Sequence, residues 1–106
     1  MEKLKFSVEE RLVVASLFEE IDHHAARSLR EEIDRLLFKH RPNTLVLDFS
    51  GVRFMDSSGL GLIIGRAEIC KSIGAHVEIR GASNMLLRLL RLGGVEKIDN
   101  IRIVQP

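Results

Sequence analysis

The chain has 106 residues, of which 45% are apolar and 29% charged. That is the size and composition of one soluble globular domain with one core. Sixteen basic residues against fifteen acidic ones leave a formal net charge of +1, too little for a broad field that would hold nucleic acid phosphates.

The opening MEKLKFSVEE does not read as a signal peptide. "LKFSVEERLVVASLF" predicts two strands around Glu9-Glu10, with Val13, Val14 and Ala15 suited to a half-buried or central strand. "IDHHAARSLREEIDRLLFKH" follows. Asp22 is a good N-cap, and Ala26, Leu29, Ile33, Leu36 and Leu37 recur at helical spacing. Lys39-His40-Arg41, beside Pro42, reads as a solvated loop, and Pro42-Asn43 ends the helix. "TLVLDFS" is a short apolar strand of the kind expected when both faces of a sheet are covered.

"SSGLGLIIGRAEICKSIG" predicts a second helix, stopped at Gly74. Its Cys70 is the only cysteine, which excludes an internal disulfide and suits a reducing cytoplasm. With no base beside it in an apolar helix, Cys70 reads as a packed residue rather than a nucleophile. "HVEIRG" is another strand. "SNMLLRLLRLGG" is a third helix, capped by Ser83 or Asn84 and stopped at Gly93-Gly94, and "IRIVQ" is a last strand. The third helix is apolar nearly all round, broken by Arg88 and Arg91. It packs on the sheet or leaves a patch for a partner or a second copy. The order ββαβαβαβ implies parallel strands joined by right-handed crossovers. The fold class is α/β, one domain over residues 1–106 with a mostly parallel sheet. There is no repeat, no linker and no apolar run long enough to span a bilayer.

The stretch "FMDSSGLGLIIGR" (Phe54–Arg66) carries the chemistry. Asp56, Ser57 and Ser58 are all N-cap residue types, and one cap would be enough. Gly59 and Gly61 each cost a helix roughly 1 kcal/mol against Ala, so something is expected to come close to the backbone there. A phosphate at such a helix start is stabilised by free N–H groups and the helix dipole. If it is attached covalently, it adds about −1.5 to −2 charges at one surface point.

Other chemistries fit less well. Gly59-x-Gly61-x-x-x-Gly65 is one residue longer than the dinucleotide fingerprint. Gly51 to Asp56 also separate it from the strand core, where the fingerprint wants a tight turn. M-D-S-S-G is not the G-x-S-x-G elbow of a serine hydrolase. His23 and His24 point roughly 100° apart on a helix and do not chelate one metal. They read as first-turn surface residues that can meet a partner. No catalytic residue, metal or cofactor is expected.

Asp22-His23-His24 at a helix start, followed by "LVLDFSGVRFMDSSGLGLIIGR", resembles the STAS-domain anti-sigma factor antagonists. The resemblance covers nearly the whole chain, and its D-S-S-G-L-G segment is quite specific. The His-His pair favours the sporulation branch, which frees the sigma-F factor, over the general-stress branch. The resemblance implies a binding partner rather than an enzyme. Unphosphorylated, such a protein binds an anti-sigma factor that is also a serine kinase and makes it release its sigma factor. The kinase then phosphorylates it and binding is lost, until a serine phosphatase restores it. The acceptor position in the family matches Ser57, with Asp56, Ser58, Gly59 and Gly61 shaping the helix start. Asp22, His23 and His24 are the expected partner-binding residues, near Ser57 on the edge where parallel strands end. No direct contact with nucleic acid or membrane is implied, and the expected state is a monomer or weak homodimer.

Two positions depart from the family pattern. Glu19 stands where a glycine is usual, so a less tight loop is expected there. The family also usually closes with a fourth helix. This chain stops at Pro106, so that helix is expected to be absent or truncated, and the surface it would cover to be exposed or to pair with another copy. The other reading of the sequence is a small nucleotide- or ligand-binding domain that uses the Gly59–Gly65 helix start.

Overall fold

The computed structural model describes residues 4–104, so Gln105, expected at the end of the last strand, lies outside the described residues. Strands β1 (Leu4–Glu9) and β2 (Leu12–Ile21) form a hairpin. Then come α1 (His23–His40), β3 (Thr44–Met55), α2 (Ser57–Ser72), β4 (His76–Arg80), α3 (Asn84–Leu92), a 3-10 turn at Val95–Lys97 and β5 (Ile101–Ile103). The sheet order is β1-β2-β3-β4-β5. β1 is antiparallel to β2, and every other pair is parallel. The α/β architecture is the one expected; the 3-10 turn is an addition.

Each strand from β2 onward lies beside its predecessor. Right-handed crossovers that all step the same way put α1, α2 and α3 on one face. Burial follows that geometry. Val13, Ala15 and Leu17 of β2 and Leu45, Leu47 and Phe49 of β3 belong to the core. The alternate residues Thr44, Asp48, His76, Glu78 and Arg80 are polar. On this second face Thr44 meets His76 at 3.3 Å and Arg80 meets Glu78 at 2.8 Å. On this face β3 is partly covered: Thr44 and Asp48 are half-buried and Val46 is buried. The apolar exception is Val46, which lies in register between Val14 and Glu78.

β3 is also longer than expected. It continues through Gly51, Val52, Arg53 and Phe54 to Met55. Two register shifts against β2 absorb the extra residues: Ser16↔Asp48 becomes Phe18↔Gly51, and Glu19↔Val52 becomes Glu20↔Phe54. Such bulges bend a strand and increase its twist. The second bulge includes Glu19, whose φ is 66°. The backbone therefore keeps the left-handed turn that glycine favours, and the expected loosening at Glu19 is absent. A side chain there costs on the order of 1 kcal/mol. Its carboxylate lies 3.4 Å from Arg53.

The core of α1 is the one read from its spacing: Ala26, Leu29, Ile33, Leu36 and Leu37 are all buried. α3 both packs on the sheet and leaves apolar residues outside. Only Leu86 and Leu90 are buried, while Met85 is 57% and Leu92 81% exposed. Burial is therefore one-sided, while the outer side stays apolar at Met85 and Leu92, as in the reading that leaves a patch there.

Candidate functional site

β2 and β3 end side by side, with Ile21 opposite Met55. The next residue of each, Asp22 and Asp56, caps a helix. Asp22 Oδ1 accepts from the Ala25 N–H at 2.9 Å, and Asp56 Oδ1 accepts from the Ser58 N–H at 2.8 Å. His23 and Ser57 are therefore the first residues of two neighbouring helices. This brings Asp22, His23, Asp56 and Ser57 to one edge. The Asp56 N–H donates to the Ile21 carbonyl at 3.2 Å, which ties the two helix starts together.

Only one of the three capping-type residues of α2 caps it. Ser57 is exposed and Ser58 half-buried. Among the described residues, neither hydroxyl has a hydrogen-bond partner. His23 and His24 are both exposed and diverge as expected; His23 turns toward α2, and His24 does not line that side.

The glycines of α2 divide into two kinds. A Cβ on Gly59 would collide with the Met55 side chain, so Gly59 lets the helix start fold back over the strand it follows. A Cβ on Gly61 would meet nothing within 4 Å, and the same holds for Gly65. The close neighbour expected at both Gly59 and Gly61 is thus Met55 at Gly59, and no residue of the chain at Gly61.

The glycine spacing remains one residue too long for a nucleotide loop, but the separation from the strand does not survive, because β3 runs to Met55 and α2 starts two residues later. A different argument takes its place. Asp56 already occupies the Ser58 N–H, and Asp22 stands at the neighbouring helix start. Two carboxylates where a phosphate would settle oppose a bound anion.

Between α1 and α2 lies a groove of about 450 Å³, lined by His23, Ala26, Arg27, Arg30, Ser58, Gly61 and Leu62. Sequence reading missed Arg27 and Arg30. The signal was present, since His23, Arg27 and Arg30 recur at i, i+4 and i+7 along one flank of α1.

One turn further along, the helices close on an ion pair. Arg66 is 4% exposed, and its Nε lies 2.7 Å from Asp34 Oδ1. The Arg66 Nη1–H also donates to the Leu62 carbonyl at 3.4 Å. Burial raises the Asp34 pKa despite the attraction of Arg66 and Arg30. Burial likewise lowers that of Arg66, against the pull of Asp34. Cys70, one turn beyond, is fully buried, and burial pushes its thiol up to about 11. A thiol held protonated is not a nucleophile at neutral pH, in line with its reading as a packed residue. Among the described residues no group of His, Cys, Asp and Glu could hold a metal ion. Among those residues no helix is long and apolar enough to cross a membrane.

Comparison with known proteins decides the family. The STAS domain family matches residues 3–103. The chain belongs to that family. Within it, the chain is 31% identical over 83 residues to the anti-sigma F factor antagonist of Lysinibacillus sphaericus, covering 78% of this chain and 71% of that one. It is 32% identical over 82 residues to the anti-sigma-B factor antagonist of Bacillus subtilis (strain 168), covering 77% and 73%. The STAS fold also superposes on the anti-sigma factor antagonist SpoIIAA in its unphosphorylated form, with a TM-score of 0.76 and 26% identity over 97% of this chain and 88% of that one. SpoIIAA in its phosphorylated form gives a TM-score of 0.74 over 96% and 91%. The chain is therefore a STAS-domain anti-sigma factor antagonist by family. Nearly equal identities to sigma-F and sigma-B antagonists leave the branch to be argued.

Proposed function

We propose that the chain is a phosphorylation-controlled antagonist of an anti-sigma factor that is also a serine kinase, with Ser57 as the switch. The observation that carries this is the spare hydroxyl. Asp56 already caps α2, so Ser57 is not needed there, and it stands exposed at the first position of the helix. Asp22, His23 and His24 at the neighbouring helix start complete the docking edge. Asp56 orients the acceptor turn through its bond to Ser58. Gly59 lets that turn sit on Met55.

The reaction is catalysed by the partner. The Ser57 oxygen attacks the γ-phosphorus of Mg-ATP, ADP leaves, and the hydroxyl proton passes to a base of the kinase. The product is a dianion beside Asp56 and Asp22. An unpaired charge buried at an interface costs several kcal/mol, enough to end binding without refolding the domain. The near-equal likeness to SpoIIAA in both of its forms supports a switch that leaves the fold in place. In this reading the chain works in the cytoplasm as a monomer or weak homodimer, and a serine phosphatase resets it. The His23-His24 pair favours the sporulation branch and sigma F.

The test is intact mass followed by peptide mapping, after incubation with the cognate anti-sigma kinase and Mg-ATP. One added phosphate on Ser57 is expected. Ser57→Ala should bind the kinase constitutively and take no phosphate, and Ser57→Asp should bind poorly. An active kinase that neither binds the chain nor modifies it would sink the proposal.

A further inference from the structure

The groove between α1 and α2 has a composition that the fold itself does not explain. Gly61 is exposed in the second turn of α2, and a side chain there would touch nothing in the domain. Glycine at such a place weakens a helix by roughly 1 kcal/mol against Ala. Neither backbone strain nor intramolecular packing accounts for it. Across the groove stand Arg27 and Arg30. Among the described residues neither has a salt bridge; Arg30 is attracted by Asp34, but the Asp34 carboxylate makes its close contact with Arg66. A chain of net charge +1 thus carries two guanidiniums without a salt bridge, and His23, in one depression of about 450 Å³. Gly61 also lies one helical turn from Ser57, so whatever fills the groove sits beside the acceptor.

We infer that this groove receives a carboxylate-bearing segment of the kinase, whose acid pairs with Arg27 and Arg30 while its backbone passes over the bare surface of Gly61. The inference rests on the reading of the chain as a kinase-binding antagonist and adds where and how the kinase is held. The guanidiniums are planar donors that suit a carboxylate. The missing side chain at position 61 allows the approach. Docking here sets the register of the kinase over Ser57, so Arg27, Arg30 and Gly61 are positioning residues rather than parts of the phosphoryl transfer.

The experiment is titration of the cognate anti-sigma kinase, at low and at high salt, with wild type, Gly61→Ala, Gly61→Leu and the double variant Arg27→Glu/Arg30→Glu. Urea unfolding of each variant accompanies it. Gly61→Ala should raise the urea midpoint and yet weaken binding. Gly61→Leu should weaken it about tenfold or more. The double charge reversal should weaken it by about ten- to a hundredfold and flatten the salt dependence. The phosphorylation rate at limiting kinase should fall in the same order. If wild type binds and is phosphorylated while every folded variant binds within about twofold of it, the groove is not the docking site and this inference alone fails. Loss from the arginines with full binding by Gly61→Leu would overturn the close approach at Gly61. If wild type neither binds nor is phosphorylated, the reading of the chain as an antagonist of this kinase fails, and the inference goes with it.

Discussion

The contact between α1 and α2 has two ends that differ in kind. Near the helix starts it is an open, basic groove with no side chain at position 61. Farther along it closes on Asp34 and Arg66, with Ile33, Leu37, Ile63, Ala67 and Cys70 all buried. Both ends use arginines from the same pair of helices. At the closed end the charge is satisfied inside the domain, and removing its partner should cost stability. At the open end Arg27 and Arg30 have no salt bridge among the described residues, and changing them should cost binding. A buried charge with a partner therefore marks structure, and one without a salt bridge beside an unexplained glycine marks contact with something else.

The largest effect should come from the closed end. Asp34→Ala leaves Arg66 buried and unpaired. Breaking a fully buried pair costs about 3–5 kcal/mol. The Asp34 side chain is still 25% exposed, so about 2–3 kcal/mol is expected, read as a fall in the urea midpoint. Replacing both residues, as in Asp34→Leu/Arg66→Met, should recover most of that loss, because such pairs offset only part of their own desolvation. A full loss in the double variant would mean that the pair holds the helices by more than charge balance. Kinase binding by these variants, where folded, should stay close to wild type, which is the opposite outcome to the arginines of the groove.

Cys70 sharpens the same contrast through pH. Its thiol ionises near 11 in the folded chain, against an ordinary value of 9.0. Below pH 9 both folded and unfolded states keep the proton, and the stabilisation is complete. Between about pH 9 and 11 only the unfolded state gives it up, so stability falls as pH rises. Two pH units correspond to about 2–3 kcal/mol. The charged groups facing the thiol are Arg66, which lowers its pKa, and Asp34, which raises it; burial outweighs both. The check is the urea midpoint at pH 8 and pH 10.5 for wild type and Cys70→Ala. The variant should lose less between the two values. Equal losses would show that the thiol is not held back by burial.

Much of this was legible in the sequence, for reasons that can be named. The apolar stripe of α1 and the caps at Asp22 and Asp56 are local patterns, and local patterns are what a sequence carries. The extension of β3 was not legible, because the residues from Gly51 on read as lying past the strand when seen without β2 beside them. Two bulges keep them in the ladder, and a bulge has no single-strand signature. Arg66 could not be read as a core residue, since its partner Asp34 is distant in sequence and charge by itself argues for the surface. The one-sidedness of α3 needed the sheet beneath it. Leu86 and Leu90 go down, and Leu92 does not. At the site, the edge formed by Asp22, His23, Asp56 and Ser57 followed from the rule that helix starts gather where parallel strands end. The groove was missed because only the apolar stripe of α1 was read from its spacing, and Arg27 and Arg30 lie outside that stripe.

The smallest effect separates the two glycines that the sequence treated alike. Gly59→Ala places a methyl where the Met55 side chain lies. Met is flexible and can yield, so the collision is relieved in part by a shift of Met55. Alanine also improves the helix by roughly 1 kcal/mol, which offsets some of the strain. Overpacking of this kind typically costs about 1–3 kcal/mol, and the net expectation is a loss of about 1 kcal/mol in urea unfolding. Gly61→Ala meets no neighbour and should gain about as much as Gly59→Ala loses. Adding Gly59→Ala to Met55→Ala tests the cause, since with the neighbour removed the glycine substitution should gain roughly 1 kcal/mol, as at Gly61. If Gly59→Ala proved harmless with Met55 in place, the glycine would not be serving the fold, and the contact expected there would have to be sought outside the domain, as at Gly61.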